Sequence, residues 1–238
     1  MTSWKGVGLV RPAGQLKNLS EGFAWGFASM AVVACIAFSA GARTWNESVT
    51  LVNCLEAFSA ALLSSVVVGL LEELLFRGAL QGSLGKVHPW TLAVLLSSGF
   101  YALVHFFHRP ESPSEITWLS GFVILARMLA GFVDPELLIP GFLTLLLAGT
   151  ILGLAYLRTG TLYQSIGLHA GWIFWLRFYG AIAVETDGAR SHRSLWGTGK
   201  LFDGWLAFMI LLPVLMVFWR NQSRYNEPSL HTGSEELA

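Results

Sequence analysis

The chain has 238 residues, of which 54% are hydrophobic and 13% charged, with 15 basic and 15 acidic side chains and no formal net charge. A soluble domain carries about a quarter charged residues, so this composition excludes an ordinary soluble enzyme, and without a basic block nothing points to nucleic acid. Several apolar runs approach the ~20 residues that span a bilayer. Only helices or closed barrels satisfy the backbone in lipid, so the prediction is all-α: a polytopic transmembrane helical bundle of about six spans plus a possible interfacial helix.

Residues 1–49 read as an N-terminal segment and first transmembrane helix. Met1 to Glu21 is polar and carries Lys5, Arg11 and Lys17; Gly22 to Gly41 is the first apolar run. Ala40-Gly41-Ala42 resembles a signal-peptide cleavage site, but the basic segment is long and the apolar run exceeds a typical signal core, so an uncleaved span is expected. The second run begins near Leu51 and continues to about Leu84, longer than one crossing needs, which predicts a tilted or projecting helix. Glu56 falls on roughly the opposite face from Glu72 and reads as interfacial. Cys35 and Cys54 lie in apolar runs and read as lipid- or core-facing thiols, not a disulfide.

Gly85 to Pro89 is a break, glycine ending one helix and proline opening the next. Trp90 to Phe107 is the third run and carries His105; His108 and Arg109 mark its exit, and Glu111 to Glu115 is a loop. Trp118 to Phe132 is short, contains Arg127 and reads as an interfacial or re-entrant helix closed by Asp134-Pro135-Glu136. Leu137 to Leu157 is the fourth span, Arg158 to Thr161 a tight connection, and Leu162 to about Val184 the fifth span, carrying His169. A polar loop, Glu185 to Lys200, leads to the sixth span, Phe202 to Trp219, where Pro213 is a kink signal. Asn221 to Ala238 reads as a disordered polar tail. Basic flanks favour cytoplasmic termini, although Arg190, Arg193 and Lys200 in the longest external loop count against this.

The stretch Leu71-Glu72-Glu73-Leu74-Leu75-Phe76-Arg77-Gly78 places three ionisable groups in an apolar helix. Each costs about 2.5–3.5 kcal/mol at a lipid-embedded helix centre. Glu73 and Arg77 are four apart and predict an ion pair. Glu72 lies about 100° round the helix and has no partner at that spacing. The pattern is one structural carboxylate beside one free carboxylate; the plainer alternative is a salt-bridged helix end at the membrane surface.

Depth brings further groups to the same level. Glu72 lies 14 residues before Lys86, and His105 lies 17 residues after His88, about 21 and 25 Å from the same turn. His169 joins them if the long hairpin projects beyond the membrane and Trp118–Phe132 does not cross. A buried glutamate facing two histidines is a catalytic or metal-like constellation.

Glu72-Glu73-x-x-x-Arg77-Gly78, His105 and Leu168-His169-Ala170-Gly171-Trp172 together resemble the CPBP family of intramembrane proteases, which includes the type II CAAX prenyl endopeptidase and bacterial Abi and bacteriocin-immunity proteins. The resemblance covers roughly Thr50 to Val184, so residues 50–184 form a protease-like core, followed by residues 185–238 as loop, last helix and tail. It implies an intramembrane endopeptidase of a bacterial plasma membrane. Its partners would be the lipid bilayer and a peptide or protein substrate, for which the CAAX type is the candidate the family offers. Glu72 would be general base with His105, His169 would stabilise the oxyanion, and Glu73 and Arg77 would give structural support. The same Glu72, His105 and His169 are candidate ligands for a possible Zn²⁺. Two positions depart from the family. Tyr101 replaces a phenylalanine four residues before the first histidine. Ile173 replaces the asparagine, or small residue, often found four residues after the second. Ile173 cannot donate a hydrogen bond, so another donor, such as the Trp172 indole, would have to serve. Two other readings of the same residues are a catalytically silent scaffold or immunity factor and a proton or ion pathway.

Overall fold

The computed structural model describes residues 8–9, 14–107 and 115–220. The expectations for Lys5 and Arg11, for His108, Arg109 and the loop from Glu111, and for the tail Asn221–Ala238 lie outside the described residues. Among the described residues six long helices alternate in direction: α1 (Leu16–Ser39), α2 (Leu51–Leu84), α3 (Trp90–Val104), α5 (Pro135–Thr159), α6 (Tyr163–Ile182) and α9 (Trp205–Arg220). Between α3 and α5 lies the short α4 (Ser120–Met128), extended by a 3₁₀ turn, Leu129–Phe132. The chain is an all-α membrane helical bundle. Helices α1, α2 and α5 are each long and apolar enough to cross a bilayer, and α3 and α9 are shorter apolar helices.

Helix α6 is the axis of the bundle. Every residue from Gln164 to Phe174 is buried, because α1, α2 and α5 all pack against it. The tightest seam is α1 on α6. Gly22 and Gly26 on α1 face Gly167 and Gly171 on α6, and a Cβ at Gly26 would collide with the Leu168 carbonyl. Paired small-xxx-small motifs let membrane helices approach to backbone contact, where dispersion and close packing hold them. The first apolar run is thus a wall of the bundle, beginning six residues earlier than the sequence pattern set it.

Helix boundaries follow local chemistry. Thr50 caps α2 through a reciprocal capping box with Asn53. Asp134 caps α5 with Pro135 in the first turn. Gly160 (φ +64°) ends α5 in the left-handed conformation that glycine adopts without steric cost. Helix α4 has nine residues, about 14 Å of rise, well short of a ~30 Å hydrocarbon core. It lies with the end of α3 and the start of α5, where the Phe106 ring meets Phe132 and Phe142 at 5.9 and 6.3 Å. The segment therefore does not cross, and α3 and α5 are antiparallel neighbours.

Two features of this frame were not expected. Arg43–Trp45 (β1) pairs antiparallel with Ala183–Glu185 (β2), shortening the fifth helix to Ile182. The expected polar loop after it holds two short helices, α7 (Asp187–Arg190) and α8 (Arg193–Trp196). Arg43, buried, fastens this loop by donating to the carbonyls of Gly197 (3.1 Å) and Thr198 (2.9 Å). The second feature is a π-helical segment, Leu74–Gln81, inside α2. Cys35 and Cys54 are free thiols, and Glu56 is exposed.

Candidate active site

The π-helical segment fixes the site. Its wide turn carries Arg77 and Gln81 onto α5, where Arg77 donates to the Gly149 carbonyl (3.1 Å) and Gln81 to the Gly153 carbonyl (3.2 Å). Both pairs are spaced by four residues, so the side chains clamp one helix face at two successive turns. Gly149 and Gly153 leave room for the approach, since a Cβ there would meet Ser98 or the Gln81 amide oxygen below 3 Å. Single π turns inside α-helices recur at functional sites.

Arg77 also donates to Glu73 Oε1 at 3.0 Å, both side chains being fully buried, and its guanidinium lies 4.7 Å from the centre of the Tyr101 ring. The predicted pair forms, despite the π geometry. Glu73 Oε1 has a second partner that the sequence did not indicate: His169 Nδ1, at 2.9 Å. An ionised carboxylate only accepts, so Nδ1 carries a proton, and whenever the ring is neutral its Nε2 is bare. At the C-cap of α3, His105 Nδ1 lies 2.7 Å from the Tyr101 carbonyl. That oxygen also only accepts, so Nδ1 donates, and in the neutral ring Nε2 is again bare.

Both bare nitrogens face Glu72. Its Oε2 lies 3.7 Å from His169 Nε2 and 3.9 Å from His105 Nε2, is itself buried, and has no hydrogen-bond partner among the described residues. The side chain is 28% exposed, against 0% for Glu73. Thus the structure brings Glu72, His105 and His169 together and puts Glu73 and Arg77 behind them. Three acceptors that converge in this way suit a species bringing protons or positive charge.

For Zn²⁺ the match is partial. Each histidine has its far nitrogen held by a carboxylate or carbonyl, as metal-bound imidazoles do. However, tetrahedral ligands at about 2.0–2.1 Å stand roughly 3.3–3.4 Å apart, closer than the 3.7 and 3.9 Å here. No cluster with metal-binding spacing occurs among the described residues. The three side chains as arranged do not fit the ion.

A cavity of about 780 Å³ opens from these groups. Its walls are mainly apolar, with Phe106, Leu145, Trp172, Ile173 and Phe202 among them. Four charged residues also line it: Asp134, Asp203, Arg177 and Lys200. Both carboxylates are engaged, Asp134 by Arg193 (3.3 Å) and Asp203 by the Thr198 amide (2.8 Å). Arg177 and Lys200 have no ion pair or side-chain hydrogen bond among the described residues. Between Lys200 and Phe202, buried Leu201 takes φ +62°, a turn that costs a leucine about 1–2 kcal/mol and leaves both neighbours on the cavity wall.

One expectation is corrected here. The Trp172 indole is no substitute donor, because its Nε1 donates to Ser29 Oγ on α1 at 2.9 Å. The sequence reading also overlooked the Tyr101 hydroxyl, which lies 3.4 Å from His169 Nε2. The signal was the tyrosine itself, a phenol where an unsubstituted ring would fill the same space.

Compared with known families, residues 55–175 match the model described as type II CAAX prenyl endopeptidase, Rce1-like. That span includes Glu72, Arg77, Tyr101, His105, His169 and Ile173. No curated protein and no solved structure matches the chain.

Proposed function

The chain belongs to the type II CAAX prenyl endopeptidase Rce1-like family, and from that premise we propose that it is an intramembrane endopeptidase in which Glu72 and His105 activate water against a peptide bond. The observation that carries the proposal is the convergence of Glu72 Oε2 and two bare imidazole nitrogens on one wall of an apolar cavity. A water placed there donates one O–H to Glu72 and the other to His105. Its lone pair attacks the carbonyl carbon as Glu72 takes its proton, and that proton passes to the leaving nitrogen when the C–N bond breaks. A positioned general base contributes about 10²–10⁴-fold. His169, when protonated at Nε2 and backed by Glu73, stabilises the oxyanion; Glu73 and Arg77 hold the frame. No step is routed through a metal.

The substrate class follows from the cavity. Arg177 lies eight residues beyond His169 on α6, about 12 Å along the axis. An extended peptide covers about 3.3–3.6 Å per residue, so three or four residues bridge from the scissile bond to Arg177. Arg177 at that distance, with Lys200 on the same cavity wall, suits a free C-terminal carboxylate, and the apolar walls suit aliphatic side chains. This favours a CAAX-type substrate.

The test uses purified full-length protein in liposomes with a quenched fluorescent peptide. The peptide carries a farnesylated cysteine, two aliphatic residues and a free C-terminal residue. Cleavage after the cysteine is expected, with the C-terminal amide cut at least tenfold less efficiently. No cleavage of the free acid, with or without the prenyl group, overturns the endopeptidase reading and favours the silent scaffold that Ile173 suggests.

A further inference from the structure

The tautomer that Glu73 imposes on His169 raises a question that the endopeptidase reading leaves open. A tetrahedral intermediate places negative charge on the former carbonyl oxygen, and that charge needs hydrogen-bond donors already in place. Neutral His169 has its proton on Nδ1, turned to Glu73, and offers only a lone pair at Nε2. Ile173, one helical turn further along α6 on the cavity wall, has no donor. The Trp172 indole is committed to Ser29. Ser98 is buried on the far side of α3, against Gly149.

Among the described residues, one side-chain donor remains on the cavity wall beside Glu72 and both histidines. The Tyr101 hydroxyl is buried, the residue being 3% exposed, and sits 3.4 Å from His169 Nε2. We propose, on the footing of the endopeptidase reading, that Tyr101 is a catalytic residue whose hydroxyl donates the oxyanion hydrogen bond in place of a side-chain amide. Its position is over-determined. The ring meets Phe76 edge-on at 5.1 Å, lies under the Arg77 guanidinium at 4.7 Å, and stacks obliquely with His105 at 4.4 Å. The same residue's carbonyl holds His105 Nδ1.

Three rigid contacts around the ring leave the C–O torsion as its free motion. In the resting site the O–H points to the bare His169 nitrogen, a long contact that costs little to give up. When an oxyanion forms beside Glu72, rotation about the C–O bond turns the same proton to it, and no proton is transferred. If His169 is protonated at Nε2, the ring no longer accepts, the phenol is released, and both groups donate. Tyr101 thereby supplies one donor in either state of His169. A phenol is protonated at neutral pH, so the donor is present throughout the working range.

The decisive variant is Tyr101→Phe, which keeps the ring, its packing under Arg77 and the backbone carbonyl while deleting the hydroxyl. Turnover of the farnesylated free-acid peptide by protein in liposomes should fall about 10²–10³-fold in kcat, the usual effect of deleting one oxyanion donor. KM and melting temperature should stay within error of the parent. Tyr101→Phe combined with Ile173→Asn, which places an amide one turn from His169, should recover at least tenfold of the lost kcat. A parent that cleaves beside a Tyr101→Phe variant within twofold of it overturns this proposal and leaves the endopeptidase reading standing. A loss that appears in KM or melting temperature, and not in kcat, also overturns it, in favour of a structural tyrosine. A parent that cleaves nothing removes the reading and the proposal together.

Discussion

Replacing Arg77 by alanine should be the most damaging single truncation in the site. Its guanidinium is fully buried, donates to Glu73 Oε1 at 3.0 Å and to the Gly149 carbonyl at 3.1 Å, and lies 4.7 Å from the Tyr101 ring centre. Breaking a buried pair by removing one partner costs about 3–5 kcal/mol, because the remaining charge stays buried and uncompensated. No solvent screening discounts this, as neither side chain is exposed. In a chain of this size each kcal/mol moves the melting temperature by about 2–4 °C, so Arg77→Ala should melt roughly 6–20 °C lower in detergent. Arg77→Lys should recover only part, since an ammonium does not reproduce the fork that reaches Glu73 and α5 at once. Removing both charges, Arg77→Met with Glu73→Gln, should melt above Arg77→Ala, because no charge is left stranded. The assay is thermal unfolding of purified protein followed by intrinsic tryptophan fluorescence. An Arg77→Ala protein within 2 °C of the parent, or a double variant no better than the single, would refute the account.

Three further outcomes are expected. Glu72→Gln should keep the parent's melting temperature or exceed it and abolish turnover, as should His105→Ala; Glu73→Gln should melt lower and keep partial activity, and a well-folded, inactive Glu73→Gln beside an active Glu72→Gln would reverse the two roles. Dialysis against a strong chelator should leave activity within twofold, read on the fluorescent peptide; loss restored by added Zn²⁺ would show that the 3.7 and 3.9 Å separations close around a metal. Gly171→Leu should lower the melting temperature by about 2–12 °C, since overpacking costs roughly 1–3 kcal/mol and the α1 backbone cannot yield; an unchanged midpoint would mean that α1 docks elsewhere.

Charge in an apolar run was the legible part of this sequence. Glu73 and Arg77 four apart announce a pair, and the depths of Glu72, His105 and His169 follow from counting residues to shared turns. What stayed hidden depends on atoms that periodicity does not weigh. A π turn differs from an α turn only in which carbonyl each amide finds, so Leu74–Gln81 reads as ordinary helix. The three-residue ladder Arg43–Trp45 with Ala183–Glu185 is too short to leave an alternating pattern. The α1–α6 seam was written twice as Gly-x-x-x-Gly, at Gly22/Gly26 and Gly167/Gly171, a signal that was present and unused. Tyr101 was read by its ring, because whether a hydroxyl matters depends on which nitrogen lies 3.4 Å away. That nitrogen's tautomer depends in turn on Glu73, 96 residues from His169 in sequence.

The two adjacent glutamates divide their work because the helices beside them diverge. The first part of α2, Leu51–Glu73, packs on α6 but makes no substantial contact with α3, which meets α2 at the π-helical segment and at Gly82–Leu84 and otherwise packs on α5. Glu73, turned into the three-helix junction, meets Arg77 and His169 and gives up water entirely. Glu72, one residue earlier and about 100° round the helix, is turned toward the opening where α2 and α3 part, and so keeps 28% of its surface. The buried member needs a cation to exist as an anion. The edge member keeps access to solvent and a free oxygen, which is what a base requires. Exchanging the residues would not exchange the roles, since both positions already hold glutamate; the π turn and the splay of α2 from α3 assign them.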